Sequence, residues 1–250
     1  MRNQNSANTA VAASTTAGDT HTQSQRQLAP TTPKSLIPKN LQQHNRLKTI
    51  LYIHGFNSSG NAVKAQKLIQ YLPECKIVSP NLDYYNATPH ELIEQVKGII
   101  RDNNVDMIVG TSLGGMLTMY MSAICDIKAL AINPASQPNN TLQQFVGIEL
   151  TNFATNETHI LKQEAFDAYQ EFVNNEFPKA KFSKRNLRFA LSKDDELLGS
   201  YENLIKQFDG FDIYEFSSVT HRFKKFEYLI PIIRDILGIE MIKEFEHFAV

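Results

Sequence analysis

The stretch VGTSLGGM, Val109–Met116, places one serine between glycines where a short apolar run ends. It can be read as a loop that binds phosphate, as a nucleophile exposed on a strained turn, or as a small-residue turn without chemistry. The phosphate loop GxxxxGK[ST] needs a lysine after its second glycine, and the dinucleotide fingerprint needs a glycine at position 112, so neither motif is present. The stretch does match G-x-S-x-G over Gly110–Gly114, which is typical of a serine exposed on a sharp turn between a strand and a helix.

On both sides of this stretch the chain alternates strand-like and helix-like segments. KTILYIH (48–54) is a β-branched and aromatic run that ends at a glycine, as a buried parallel strand does. The alternation predicts an α/β fold, with a single doubly wound, mostly parallel sheet of at least five strands between helices. The other predicted strands are KIVSP (76–80), DMIVG (106–110), IKALAIN (127–133), NLRFALS (186–192) and FDIYEFS (211–217), and the predicted helices are about 61–72, 88–101 (with a capping box at its start), 113–122 and 223–237.

The first 46 residues are interpreted as a disordered polar tail. They are rich in Ser, Thr, Asn, Gln and Pro, and they cannot bury enough apolar surface to offset the entropy lost on ordering. An organelle transit peptide remains an alternative, because acidic residues are scarce and Ser and Thr abundant, although arginines are few. We therefore expect the folded domain to occupy residues 47–250.

Composition and charge disfavour several classes of function. With a formal net charge of −1, the chain has no basic surplus for nucleic acid or for an anionic membrane. No apolar run approaches the roughly 18 residues that cross a bilayer. Cys75 and Cys125 have no metal-ligand spacing and are expected to be buried free thiols, which favours a reducing, cytoplasmic location. We expect no nucleic acid, membrane span, metal or cofactor.

Residues 136–184 interrupt the alternation with a polar and aromatic region. It contains one plausible helix, about Lys162–Asn174, and no convincing strand. Because it leaves the sheet at the carboxyl edge, where ligands bind in such folds, we interpret it as a lid-like insertion with an apolar underside that binds substrate. The alternative is a surface excursion that packs on its own small core. The aromatic residues are Phe145, Phe153, Phe166, Tyr169 and Phe172, of which Phe166 and Tyr169 are the candidate substrate contacts.

A serine hydroxyl needs a base to take its proton, so the motif predicts a histidine and a carboxylate after other strands. Of the seven histidines, His221 lies directly after the last predicted strand, whereas His54 ends the first strand and could be structural. The loop KDDELLG after NLRFALS offers Asp194, Asp195 and Glu196, unless it is simply a hydrated acidic turn. The order serine, acid, histidine matches that of α/β-hydrolase triads.

Five stretches of the sequence resemble those of a known family. They are YIHGFNSSGNAVKAQ (52–66), GTSLGG (110–115), AINPA (131–135), DDELL (194–198) and VTHRF (219–223). Together they resemble the small bacterial esterases of the YqiA type, within the α/β-hydrolase superfamily, over about residues 48–238. The resemblance implies a compact α/β-hydrolase fold with Ser112 as nucleophile and His221 as base. It selects Asp195 over Asp194, because in this family the acid stands directly before a Glu-apolar-apolar run.

The resemblance also implies how the negatively charged intermediate is stabilised. One backbone N–H comes from the residue after the nucleophile, Leu113, and the other from Phe56 in the loop after the first strand. Asn57 and Ser58 either support this loop or reach substrate, and ordinary turn residues are the alternative.

We therefore expect a serine hydrolase that cleaves carboxylic esters of small molecules through an acyl-enzyme intermediate on a Ser-His-Asp triad. A thioester is the nearest alternative substrate, because the acyl chemistry is the same. A partner-binding protein that keeps the fold without turnover is the other alternative. The acyl group, the alcohol and the oligomeric state stay open.

Overall fold

The computed structural model describes residues 46–137, 141–152, 154–197 and 201–240. All of them lie in one compact unit of the chain. The predicted tail up to residue 45 and Phe153 of the insertion lie outside the described residues.

Within these ranges, six parallel strands form the central sheet. They are β1 (Lys48–Ile53), β2 (Cys75–Val78), β3 (Met107–Thr111), β4 (Lys128–Ile132), β7 (Leu187–Ser192) and β8 (Asp212–Phe216), and β5 (Glu149–Thr151) and β6 (Thr158–Ile160) form a separate hairpin. The order in the central sheet is β2-β1-β3-β4-β7-β8, which confirms the predicted fold class. The direction of strand order changes between β1 and β3, and such a switch point opens a ligand crevice at the carboxyl ends of the strands.

Helices cover both faces of the sheet. They are α1 (Val63–Tyr71), α2 (Pro89–Asn103), α3 (Leu113–Cys125), α4 (Gln163–Asn175), α5 (Tyr201–Gln207) and α6 (Ile230–Leu237). Successive side chains of a strand point to opposite faces. Leu51 and Ile53 accordingly belong to the core under α2, α3 and α4, whereas Ile50 and Tyr52 belong to the core under α1 and α6.

The last helix begins later than the sequence pattern predicts. Phe223 has a φ of 47°, which a helix does not allow, and its N–H donates to the Thr220 carbonyl in a turn. A short 3-10 segment, Phe226–Leu229, follows, and Pro231 then occupies the first turn of α6, where a proline costs no hydrogen bond. The predicted helix over 223–237 is therefore confined to its second half.

The insertion contains the predicted helix and an antiparallel hairpin that the pattern did not reveal. Helix α4 agrees with prediction, but the expectation of no strand is wrong, since β5 pairs with β6. Each strand has three residues, too few for an alternating pattern to stand out.

Cys75 and Cys125 are free and half-buried, and burial raises the pKa of Cys75 to about 11.

Among the described helices, none has the length and apolar character needed to cross a membrane.

Candidate active site

Ser112 lies on the turn between β3 and α3 in a strained backbone conformation, with φ 57° and ψ −122°. Two glycines allow this turn. A Cβ on Gly110 would lie 2.3 Å from the Gly114 carbonyl oxygen, and a Cβ on Gly114 would lie 2.3 Å from the His54 carbonyl oxygen. The Ser112 N–H donates to the Ile132 carbonyl at 3.0 Å and ties the turn to β4. The G-x-S-x-G spacing thus has a steric reason.

His221 lies between Ser112 and Asp195. Its Nε2 is 2.9 Å from Ser112 Oγ, and its Nδ1 is 2.8 Å from Asp195 Oδ2. Because an ionised carboxylate only accepts hydrogen bonds, Nδ1 carries the proton and Nε2 is left to accept the Ser112 hydroxyl. The His221 and Asp195 side chains are 9% and 5% exposed, so little water competes for these bonds. The structure therefore brings together three residues from three loops.

The acidic loop after β7 gives its carboxylates different partners. Asp194 Oδ2 accepts from the Ser218 N–H at 2.6 Å, and Glu196 Oε2 accepts from the His221 N–H at 2.9 Å. Asp195 instead contacts the imidazole ring. Asp194 and Glu196 thus hold the backbone of the histidine loop, while Asp195 orients the ring.

Asn133, directly after β4, joins the same loops and was not predicted as a site residue. Its side chain is buried; Oδ1 accepts from the Ser192 N–H at 2.8 Å, and Nδ2 donates to the His221 carbonyl at 3.1 Å. The Ser192 hydroxyl in turn donates to the Val219 carbonyl. A polar residue that ends a buried strand, as in AINPA, was the available signal.

His54 is structural. Its Nδ1 donates to the Gly55 carbonyl at 2.8 Å, and its Nε2 accepts from the Leu82 N–H at 3.0 Å. Burial lowers the pKa of His54 below its ordinary value and favours the neutral ring. The Tyr84 hydroxyl donates to the His54 carbonyl at 2.6 Å, which fixes the chain where it leaves β1.

The loop after β1 lies against the serine. A Cβ on Gly55 would stand 3.2 Å from Ser112 Cβ. Phe56 and Leu113, the predicted oxyanion residues, both line the cavity that contains Ser112. Their backbones therefore belong to the two segments that flank the hydroxyl.

Two asparagines, the amide clamp, link this loop to the insertion. Asn57 Nδ2 donates to the Thr151 carbonyl at 3.0 Å, and Asn57 Oδ1 accepts from the Tyr85 hydroxyl at 2.8 Å. Asn152 Nδ2 donates back to the Ser58 carbonyl at 3.0 Å. Asn57, predicted to support the loop or reach substrate, supports the loop and also lines the cavity. Asn152 was missed because the hairpin that carries it was not predicted.

A cavity of about 540 Å³ opens at Ser112. Its two main sides differ in origin, since one comes from the carboxyl ends of the sheet strands and the other from the insertion. The sheet-edge wall consists of Gly55, Phe56, Ser112, Leu113 and His221, and the insertion wall consists of Thr141, Leu142, Phe145, Leu150 and Ala154.

Phe166 and Tyr169, predicted to bind substrate, are not among the described residues that line this cavity. Both lie on α4, are 3% and 1% exposed, and pack into the core under α2 and α3. Helical spacing of apolar residues predicts that one face of the helix is buried, but it does not predict which part of the protein that face packs against. The expectation is corrected: Leu142, Phe145 and Leu150 form the apolar underside of the insertion.

A second cavity, of about 640 Å³, lies beyond α4 and is lined by aromatic residues such as Phe177, Phe182 and Phe208. None of the predicted site residues is among its described lining. Among the residues that the structure describes, no three His, Cys, Asp or Glu side chains are placed to hold a metal ion.

A family model described as an uncharacterised protein family, UPF0227, matches residues 49–238. The chain belongs to the UPF0227 family. The UPF0227 protein VP0969 of Vibrio parahaemolyticus is 26% identical over 180 residues, which are 70% of this chain and 92% of that relative. The UPF0227 match includes Ser112, Asp195 and His221 and leaves out the predicted tail.

The UPF0227 chain is similar in fold to solved α/β-hydrolases. Est1E from Butyrivibrio proteoclasticus superposes with a TM-score of 0.56 at 16% identity, over 78% of this chain and 91% of Est1E. FphF, a fluorophosphonate-binding serine hydrolase of Staphylococcus aureus, superposes with a TM-score of 0.51 at 16% identity, over 76% of this chain and 84% of FphF. At these identities the likeness establishes the α/β-hydrolase fold; esterases, lipases and serine hydrolases share it.

Proposed function

We propose that this UPF0227 protein is a serine hydrolase that cleaves carboxylic esters of small molecules through an acyl-enzyme intermediate. The observation that carries the proposal is the hydrogen-bonded chain from Ser112 Oγ through His221 to Asp195. A serine hydroxyl is a weak nucleophile, and an adjacent oriented base is what activates it. Structural neighbours that are esterases and lipases support the same reaction class.

In the first half-reaction, Ser112 Oγ bonds to the ester carbonyl carbon while its proton passes to His221 Nε2. Asp195 stabilises the imidazolium that forms. The charge that develops on the carbonyl oxygen is met by the N–H groups of Phe56 and Leu113, and each such donor lowers a barrier by about 2.7–4 kcal/mol. The C–O bond to the alcohol then breaks, and the alcohol leaves with the proton from His221.

In the second half-reaction, water attacks the acyl-serine while His221 Nε2 takes its proton. The acid is released and Ser112 recovers its proton from His221. Thioesters would follow the same steps with a thiol as leaving group, so an oxygen ester and a thioester of one acyl chain distinguish the two substrate classes.

The half-buried free thiols of Cys75 and Cys125 support a cytoplasmic, reducing location.

A fluorophosphonate probe tests the proposal, since it reacts with activated serines and the structural neighbour FphF is named for binding it. We expect the wild type to be labelled and Ser112→Ala to be unlabelled. Ser217→Ala, which removes an exposed hydroxyl at the end of β8, is the matched control and should be labelled like the wild type.

The same variants separate the enzyme from a partner-binding protein. If folded wild type is inert to the probe and hydrolyses neither ester nor thioester, the fold serves binding without turnover. If Ser112→Ala retains both labelling and hydrolysis, another residue is the nucleophile.

A further inference from the structure

Lys64 brings a positive charge into the cavity at Ser112. It lies in the first turn of α1, and both Lys64 and Arg222 are among the cavity-lining residues. In the part of the chain that the structure describes, no carboxylate forms an ion pair with Lys64. Lys67, one turn further along α1, is by contrast paired with Glu227 at 2.6 Å.

The surroundings disfavour this charge when the cavity holds no anion. Burial, then Arg222, then Lys67 lower the pKa of Lys64 to about 8. The amine is still mostly protonated at pH 7, so a partly desolvated cation that forms no described ion pair with a carboxylate lines the same cavity as Ser112. The attraction of a bound anion would offset both the cost of desolvation and the repulsion from Arg222.

Two carboxylates near the cavity form hydrogen bonds to His221. Glu196 lines the cavity, but its Oε2 accepts from the His221 backbone N–H. Asp195 is bonded to the His221 ring. The insertion wall is largely apolar and brings no charged side chain among its described residues. The described lining therefore contains two cationic side chains and one carboxylate, and all three lie outside the insertion wall.

We propose that the ester this protein cleaves carries an anionic group, which binds between Lys64 and Arg222 while the apolar part of the substrate lies against the insertion wall. The inference rests on the proposed esterase function and narrows its substrate class. Lys64 determines specificity, because it contacts the anion and not the reacting carbonyl.

Two ester pairs test the proposal and report on which side of the scissile bond the anion lies. For the acyl side, mono-4-nitrophenyl adipate is compared with 4-nitrophenyl hexanoate, an acyl chain of equal carbon number. For the alcohol side, 4-acetoxybenzoate is compared with its neutral methyl ester. The readout is the ratio of kcat/KM between the anionic and the neutral member of each pair.

We expect Lys64→Met to lower this ratio about tenfold in at least one pair, as the loss of one partly screened charge contact does. Lys67→Met removes an equal charge from the same helix outside the cavity lining, and its ratios should stay within about twofold of the wild type. An equal loss on both members of each pair would mean that Lys64 is structural, and no loss in either pair would mean that it does not meet the substrate. Both results overturn the proposal.

A binding measurement keeps the inference separable from catalysis. Calorimetry with Ser112→Ala should show monomethyl adipate binding more tightly than methyl hexanoate, and adding Lys64→Met should remove the difference. If the wild type hydrolyses no ester but this preference is found, the esterase proposal fails and the anion site stands. If esters are hydrolysed but neither the kinetic ratios nor the binding preference depends on Lys64, the anion site fails and the esterase stands.

Discussion

The sheet-edge wall and the insertion wall enclose the same cavity but are held in different ways. Ser112 and His221 project from loops at the ends of strands that are hydrogen-bonded into one sheet. The insertion wall is carried by a 3-10 turn and a hairpin of two three-residue strands, and the amide clamp ties it to the loop after β1. We infer that the sheet-edge wall supplies the chemistry and that the insertion wall determines which substrates fit.

The largest effects should come from the sheet-edge wall. Ser112→Ala and His221→Ala should each lower kcat/KM by about 10⁴-fold or more for every ester, because the first removes the attacking hydroxyl and the second removes the base that takes its proton. Melting temperature should change little, which calorimetry checks. If either variant keeps near-normal turnover while folded, the chemistry does not belong to this wall.

The second largest loss of activity should follow from a substitution of the acid that orients His221. Asp195→Asn should cost about 10³–10⁴-fold in kcat, because an amide cannot stabilise the imidazolium. Asp194→Asn is the matched control; it alters a bond to the Ser218 N–H and should cost less than about tenfold. The reverse ranking would transfer the role to Asp194.

A smaller effect should follow from cutting the link between the walls. Asn152→Ala removes the bond to the Ser58 carbonyl and should lower kcat by about tenfold, since an oxyanion donor that is misplaced loses most of its effect. Gln144→Ala, which loses a bond inside the insertion to the Thr141 carbonyl, is the control. A lowered melting temperature with unchanged kcat would show that the clamp is structural.

The insertion wall should change selectivity more than rate. Phe145→Ala should shift the preference between neighbouring acyl lengths several-fold, because one buried methylene is worth about 0.8 kcal/mol, and short acetyl esters should still react. Phe166→Ala should instead lower stability by about 3–5 kcal/mol without changing the length profile. A length profile altered by Phe166→Ala but not by Phe145→Ala would contradict the assignment of this wall.

The smallest effect is expected from the predicted tail. Its polar composition offers little to bury, so deletion of Met1–Asn40 should leave kcat/KM and melting temperature nearly unchanged. A large drop in either would show that the tail docks on the domain.

The two walls also differ in how far the sequence predicts them. The G-x-S-x-G motif, the strand periodicity and the order of Ser112, Asp195 and His221 along the chain are local signals, and they locate the sheet edge. Asn133 and Asn152 act through carbonyls that are distant in sequence, so no local pattern reveals their partners.

The insertion shows the limit of periodicity more directly. Helical spacing predicts that the aromatic residues of α4 lie on a buried face of the helix. It does not predict whether that face packs into the core under α2 and α3 or lines a substrate cavity, because both would bury it. Phe145 lies in a 3-10 segment that is too short for any periodicity, although it lines the cavity. Which aromatic residues of the insertion line the cavity therefore depends on how the insertion packs on the rest of the domain.

The central claim, that Ser112 is acylated during turnover, is tested most directly with a substrate whose acyl-enzyme breaks down slowly. The protein is mixed with 4-nitrophenyl trimethylacetate, and the nitrophenol burst and the mass of the acid-quenched peptides are followed. We predict a burst of about one nitrophenol per active chain with the trimethylacetyl group on the peptide that contains Ser112. Steady hydrolysis without a burst, or an acyl group on another residue, would contradict it.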